Sequence, residues 1–133
     1  MASMPLAPID IVRTFLAAMA IKDYDAGLPL IAADCEYHNM PMAKVHGPAG
    51  VRAVLEPFFA PTLENEFVIL RSVSEGSVVF TERLDRHRLE KGWVELPVTG
   101  VWEVRDGQIR MWRDYFDAAT LVRAWPELGA LFG

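Results

Sequence analysis

A single cysteine in 133 residues leaves Cys35 without an internal partner, so no disulfide framework holds this chain together. Cys35 reads instead as a small buried hydrophobe. Basic runs are missing too. Lys and Arg number 13 against 18 Asp and Glu, for a net charge of −5. Nucleic acid recognition needs clustered cations to displace counterions, so no nucleic acid partner is expected. No uncharged stretch approaches the roughly 20 residues that cross a bilayer, and no membrane partner is expected either. The N-terminus, MASMPLAPIDIVR, has no basic residue before its apolar part, and Asp10 and Arg13 interrupt it. That is not the pattern of a secretory signal, and the expected location is the cytoplasm. The three histidines, His38, His46 and His87, lack ligand spacing, so neither a metal nor a cofactor is expected. Repeats, low-complexity segments and linkers are absent as well, and residues 1–133 read as a single domain.

Apolar material is plentiful by contrast. At 52% apolar and 23% charged, the chain can fill a core and still line a pocket. The N-terminal half reads as helical. Ile9, Val12, Leu16 and Met19 recur at helical spacing after Pro8, with Asp10 in the first turn. A short helix is expected from Tyr24 to Ala32, then a strand from Cys35 to Met40. Gly47-Pro48 opens a third helix with Val51, Val54, Leu55 and Phe58 on one side, and Pro61 lies beyond its end. The C-terminal half reads as a meander of strands near 65–73, 77–89, 93–105 and 108–116. Glu75-Gly76, Lys91-Gly92 and Asp106-Gly107 separate them, the last being the strongest hairpin signal. Asp117 is placed to cap a C-terminal helix starting at Ala118. Helices followed by an antiparallel sheet predict an α+β domain: a curved, mostly antiparallel sheet wrapped around the helices as a cone, with a deep apolar pocket at its open end.

Side chains alternate across a strand, so residues two apart share a face at about 7 Å. One face of 77–89 carries Val79, Thr81, Arg83, Asp85 and His87; the other carries Val78, Phe80, Glu82, Leu84 and Arg86. Alternation does not decide which is inward. Strand 93–105 is clearer, with Val94, Leu96, Val98, Gly100, Trp102 and Val104 forming an apolar face. On the last strand Arg110, Trp112, Asp114 and Phe116 share a face, so Asp114 sits between two large aromatics. A carboxylate so placed loses water, which costs several kcal/mol unless the charge is paired. Arg83 is a candidate partner.

Three segments carry a family resemblance. Thr81-Glu82-Arg83-Leu84-Asp85 resembles the arginine-x-aspartate strand of limonene epoxide hydrolases. Tyr37-His38-Asn39-Met40-Pro41 is similar to their tyrosine-x-asparagine segment, and Trp112-Arg113-Asp114-Tyr115-Phe116-Asp117 to the strand bearing their second aspartate. Order and spacing agree from roughly Ile9 to Leu121. The resemblance implies the cone-shaped fold also used by ketosteroid isomerases, polyketide cyclases and nuclear transport factor two, and it implies a homodimer. It also implies roles. Asp114 is the general base for a water that Tyr37 and Asn39 help to hold. Asp85 is the general acid toward the epoxide oxygen, and Arg83 lies between the carboxylates and orients both.

The chemistry suits these residue types. An epoxide has a poor leaving group and water is a poor nucleophile, so acid and base must act together. Two close carboxylates repel, which raises one apparent pKa of the coupled pair. The expected activity is addition of water to a small apolar, cyclic or terpene-like epoxide, giving a trans vicinal diol. Leu96, Val98, Trp112, Phe116 and His87 are the candidate substrate-binding residues. Blander readings stand beside these. Arg83 with Asp85 alone is a common surface pair, and Tyr37 and Asn39 alone are ordinary edge-strand residues. His38 reads as structural, His87 as a rim residue or substrate contact, and Trp93, Trp102 and Trp125 as packing. A proton-transfer isomerase or cyclase needs one carboxylate and an oxyanion donor, leaving the second aspartate idle. A non-catalytic ligand-binding or dimerisation module needs none of the three charges inward.

Overall fold

The computed structural model describes residues 6–132. The reading of Met1–Pro5 as part of a non-signal N-terminus lies outside the described residues. Helix α1 (Pro8–Ala20) opens with Pro8 at its first turn, where the missing N–H costs nothing. It buries Ile11, Val12, Phe15, Leu16 and Met19, while Ile9, placed on the same stripe by spacing, is half-buried at its edge. The short helix α2 (Tyr24–Gly27) is capped by Asp23, whose carboxylate accepts from Ala26 N at 3.1 Å. It does not run on to Ala32. Pro29 supplies no N–H for an α-helical bond, so Leu28–Leu30 tighten into a 3-10 turn and strand β1 (Ile31–Asn39) starts there. The early start escaped the sequence reading because a register shift between Ile31 and Glu36 breaks the alternation.

A two-residue strand β2 (Val45–His46) leads into α3 (Gly47–Phe59), which begins at Gly47-Pro48 as its residues predict. Val51, Leu55 and Phe59 are buried; Val54 and Phe58 lie on the flank that faces the cavity described below. The meander follows as β3 (Glu64–Glu75), β4 (Val78–Leu89), β5 (Gly92–Arg105) and β6 (Gln108–Tyr115). Both Asp106 and Gly107 have positive φ, 54° and 73°, which fits the twist of a two-residue hairpin. Asp117 caps α4 (Ala118–Ala124), accepting from Thr120 N at 3.1 Å. A further 3-10 segment, Pro126–Leu131, was not foreseen.

The strands form one open sheet in the order β2-β1-β6-β5-β4-β3. All neighbours are antiparallel except β1 and β6, which run parallel. The helices cover its concave face, giving an α+β cone. One core group joins α1 and α3 to β1, β5 and β6; a second gathers Leu89, Val94, Leu96, Val98, Leu121 and Trp125. The inward face of β4 is the one with Thr81, Arg83, Asp85 and His87. One alternation differs from expectation. Val104 pairs with Ile109 and Glu103 with Met111, so Arg110 is an extra, bulged residue. Ile109 therefore points inward, and Arg110 turns outward toward Asp34 and Asp106.

Candidate active site

Three charged side chains are drawn into the cone: Arg83 is 1% exposed, Asp85 7% and Asp114 5%. Arg83 grips both carboxylates. Its Nε and Nη2 donate to Asp85 Oδ1 and Oδ2, each at 3.0 Å. Its Nη1 and Nη2 donate to Asp114 Oδ1 at 3.2 Å and Oδ2 at 3.0 Å. The remaining N–H reaches Thr81 Oγ1 at 3.3 Å. A guanidinium has five N–H groups, and all are used. Charge-assisted, doubly bidentate geometry of this kind is what makes so buried an ion group tolerable.

Asp85 is two residues along the same strand, but Asp114 is two strands away on β6. Gly100 of β5 is register partner to both Thr81 and Asp114. A Cβ at Gly100 would stand 2.5 Å from Arg83 Nη1, 2.8 Å from Thr81 Oγ1 and 2.9 Å from Trp102 Nε1. The guanidinium thus crosses β5 at a residue with no side chain. Neither Gly100 nor Thr81 was singled out from the sequence, although a glycine among large inward residues on β5 is a readable signal of close approach.

Below this layer three rings stack across three strands. Tyr37 of β1 lies on Trp112 of β6 at 4.1 Å, and Trp112 on Trp102 of β5 at 4.6 Å. They are register partners, so strand pairing itself builds the stack. The indoles also work as donors: Trp112 Nε1 to Asp114 Oδ1 at 2.8 Å, and Trp102 Nε1 to Thr81 Oγ1 at 3.0 Å. Both exceed the packing role expected of Trp102 and the wall role expected of Trp112. Asn39, paired with Asp114 across β1 and β6, donates its Nδ2 to Tyr37 Oη at 2.9 Å.

Burial raises Asp114 above the ordinary carboxylate value, against the pull of Arg83 and the Trp112 hydrogen bond, with the Asp85 charge adding to the rise. Burial works to lower Arg83, but the charges of Asp114 and Asp85 outweigh it and hold the guanidinium firmly protonated. Tyr37 is pushed up by burial and then by Asp114, so its phenol keeps its proton.

These groups open onto one cavity of about 400 Å³, within the range of small-molecule sites. Tyr37, Asn39, Arg83, Asp85 and Asp114 all line it, as do Leu96, Val98, Trp112, Phe116 and His87. His87 is not a rim residue. It is 2% exposed, because Phe58, Phe59, Phe67 and Trp125 surround its ring. The sequence reading missed Phe58, Phe59, Leu128 and Phe132 as cavity wall; the last two come from the unforeseen C-terminal segment and its end. His38 keeps to a structural role, with Nε2 2.9 Å from Met42 O. Trp93 is an outer-face residue, 4.2 Å beneath Arg86. Among the described residues no group of three or more His, Cys, Asp or Glu could hold a metal ion.

Fold and site define a class: an α+β cone of the kind shared by ketosteroid-isomerase-like, polyketide-cyclase-like and nuclear-transport-factor-two-like proteins, with a buried aspartate–arginine–aspartate group in its pocket. Within it, residues 6–127 match the model of the limonene-1,2-epoxide hydrolase catalytic domain, and the chain belongs to that family. The epoxide hydrolase EphG of Mycobacterium tuberculosis is 33% identical over 112 residues, 84% of this chain and 74% of that protein. The structure of an M. tuberculosis LEH-like epoxide hydrolase superposes with a TM-score of 0.76 at 31% identity, covering 92% of this chain and 95% of the other. A SnoaL-like polyketide-cyclase-type structure from Shewanella denitrificans reaches a TM-score of 0.80 at 15% identity, covering 90% and 97%, and so shares the fold alone.

Proposed function

We propose that this chain is a single-domain, cofactor-free epoxide hydrolase acting on a small apolar, cyclic or terpene-like epoxide. The observation that carries the reading is the doubly bidentate Arg83, holding two carboxylates at one end of an apolar cavity. In this reading Asp114 is the general base and Asp85 the general acid, with the charged Arg83 between them. A water held by Asp114, Tyr37 and Asn39 attacks one epoxide carbon. Its proton goes to Asp114 as the new C–O bond forms. The ring C–O bond breaks on the opposite side, and its electrons leave on the oxygen that Asp85 protonates. Attack from behind inverts that carbon and gives a trans diol from a cyclic epoxide. A proton returns from Asp114 to Asp85 by way of solvent.

Asp114 suits the base role for two opposing reasons. Three N–H donors favour its carboxylate form, while burial raises its affinity for a proton. A carboxylate-based isomerase or cyclase would leave Arg83 and the second aspartate without a purpose. A homodimer belongs to the same reading, supported by the exposed register partners Val73 and Phe80 on the outer face of the sheet.

The test is a single turnover of cyclohexene oxide in heavy-oxygen water with enzyme in excess. Label in the first diol formed is expected. Unlabelled diol, with label left in an aspartate, would point to an ester route and remove Asp114 from the base role. No diol at all, with exchange of an α-proton in a ketone, would replace the hydrolase by an isomerase.

A further inference from the structure

Two residues beyond Asp85 on β4 the cavity holds a second polar point, His87, and a relay of hydrogen bonds decides its character. Thr62 Oγ1 donates to Phe59 O at 2.7 Å, so toward Asn65 it can only accept. Asn65 Nδ2 donates to it at 2.9 Å. That turns Asn65 Oδ1 toward His87 Nδ1, 2.7 Å away, and Nδ1 must carry the ring proton. His87 Nε2 is then a bare acceptor. Among the described residues nothing bonds to it, yet it is not among the sealed, unpartnered polar atoms. His87 lines the cavity, so Nε2 opens into it.

We infer that His87 Nε2 is a specificity-determining acceptor, and that the favoured substrate is an epoxide bearing a hydroxyl group on the part of the molecule that lies against His87. The inference rests on the hydrolase reading for the word epoxide; the acceptor itself does not. Asp85 and His87 are two residues apart on one face of β4, so one ligand in the cavity can meet both. The chemistry requires a donor because the rest of this end is aromatic: Phe58, Phe59, Phe67 and Trp125 enclose the ring. They also prevent the imidazole from turning. A purely hydrocarbon ligand would cover Nε2 and strip it of water without replacement, which costs free energy. A ligand hydroxyl supplies the missing hydrogen. Burial holds His87 neutral, its pKa lowered to about 4, so the acceptor persists across the physiological range.

Two unreactive ligands of matched size test this without relying on turnover: 2-cyclohexylethanol and propylcyclohexane. Their affinities are read from tryptophan emission in the wild type and in His87→Phe, which keeps an aromatic ring. The ratio of alcohol to hydrocarbon affinity is expected to fall about tenfold in the variant. A ratio that does not change overturns the inference. Nitrogen NMR of the wild-type imidazole decides the matter if the variant fails to fold. Protonated Nδ1, with an Nε2 signal that moves on adding the alcohol but not the hydrocarbon, supports the assignment. Protonated Nε2 overturns it. The hydrolase reading fails separately, through absence of diol from cyclohexene oxide, and that failure leaves the ligand ratio as it was.

Discussion

Arg83 and Asp114 form an ion pair at 3.0 Å although their strands are not neighbours. The bond passes over Gly100, where β5 carries no side chain to block it. Gly100→Ala is therefore expected to displace the guanidinium and lower kcat/KM at least about tenfold, with a stability loss of roughly 1–3 kcal/mol for the forced repacking. Epoxide turnover beside a urea titration checks this. An active, fully stable variant would show that the crossing tolerates a methyl group.

Asp114→Asn and Asp85→Asn are each expected to lower turnover by about a hundredfold or more, as loss of a general base or acid does. Arg83→Ala should inactivate and also destabilise, because it strands two buried carboxyl groups. Circular dichroism separates the two effects. Near-full activity in a folded asparagine variant would strip that aspartate of its role.

Trp112→Phe keeps a ring in the stack but removes a donor from Asp114. That hydrogen bond lowers the Asp114 pKa, so losing it raises a value that burial has already raised. Asp114 must be ionised to act as base, so the acid limb of the kcat/KM profile should move to higher pH. A profile that shifts downward or stays in place would contradict the assignment.

His87 links pH to stability. Its pKa falls from 6.5 unfolded to about 4 folded, through burial. Between these values the unfolded chain binds the proton and the folded chain does not. The contribution is thus fully present above about pH 6.5 and is lost as pH falls toward 4, by on the order of 3 kcal/mol. Urea midpoints measured across that window should decline less steeply in His87→Phe than in the wild type. Parallel curves would refute the linkage.

The elements were legible wherever local rules govern them. Asp106-Gly107, Asp117 and the Pro8 helix start appear in the structure as their chemistry predicts. Alternation placed Asp85 beside Arg83, but it could not choose the inward face of β4, since both faces mix charge with apolar residues. Register was beyond it. Bulges at Arg110 and between Ile31 and Glu36 shift the phase, and no local pattern announces them. The indole donors, the Gly100 passage and the Thr62–Asn65–His87 relay depend on which strand lies next to which, so they emerge only with the sheet order.

The stacked indoles have an optical consequence. Trp102 and Trp112 lie 4.6 Å apart with their planes inclined by 11°, and Tyr37 continues the pile. Transition dipoles so close exchange excitation, and a rigid chiral arrangement of them gives paired circular dichroism bands in the ultraviolet. The paired bands arise only while β1, β5 and β6 remain in register. The chain therefore carries its own gauge of whether the strands that bear Asn39, Gly100 and Asp114 are aligned, readable without label, substrate or product.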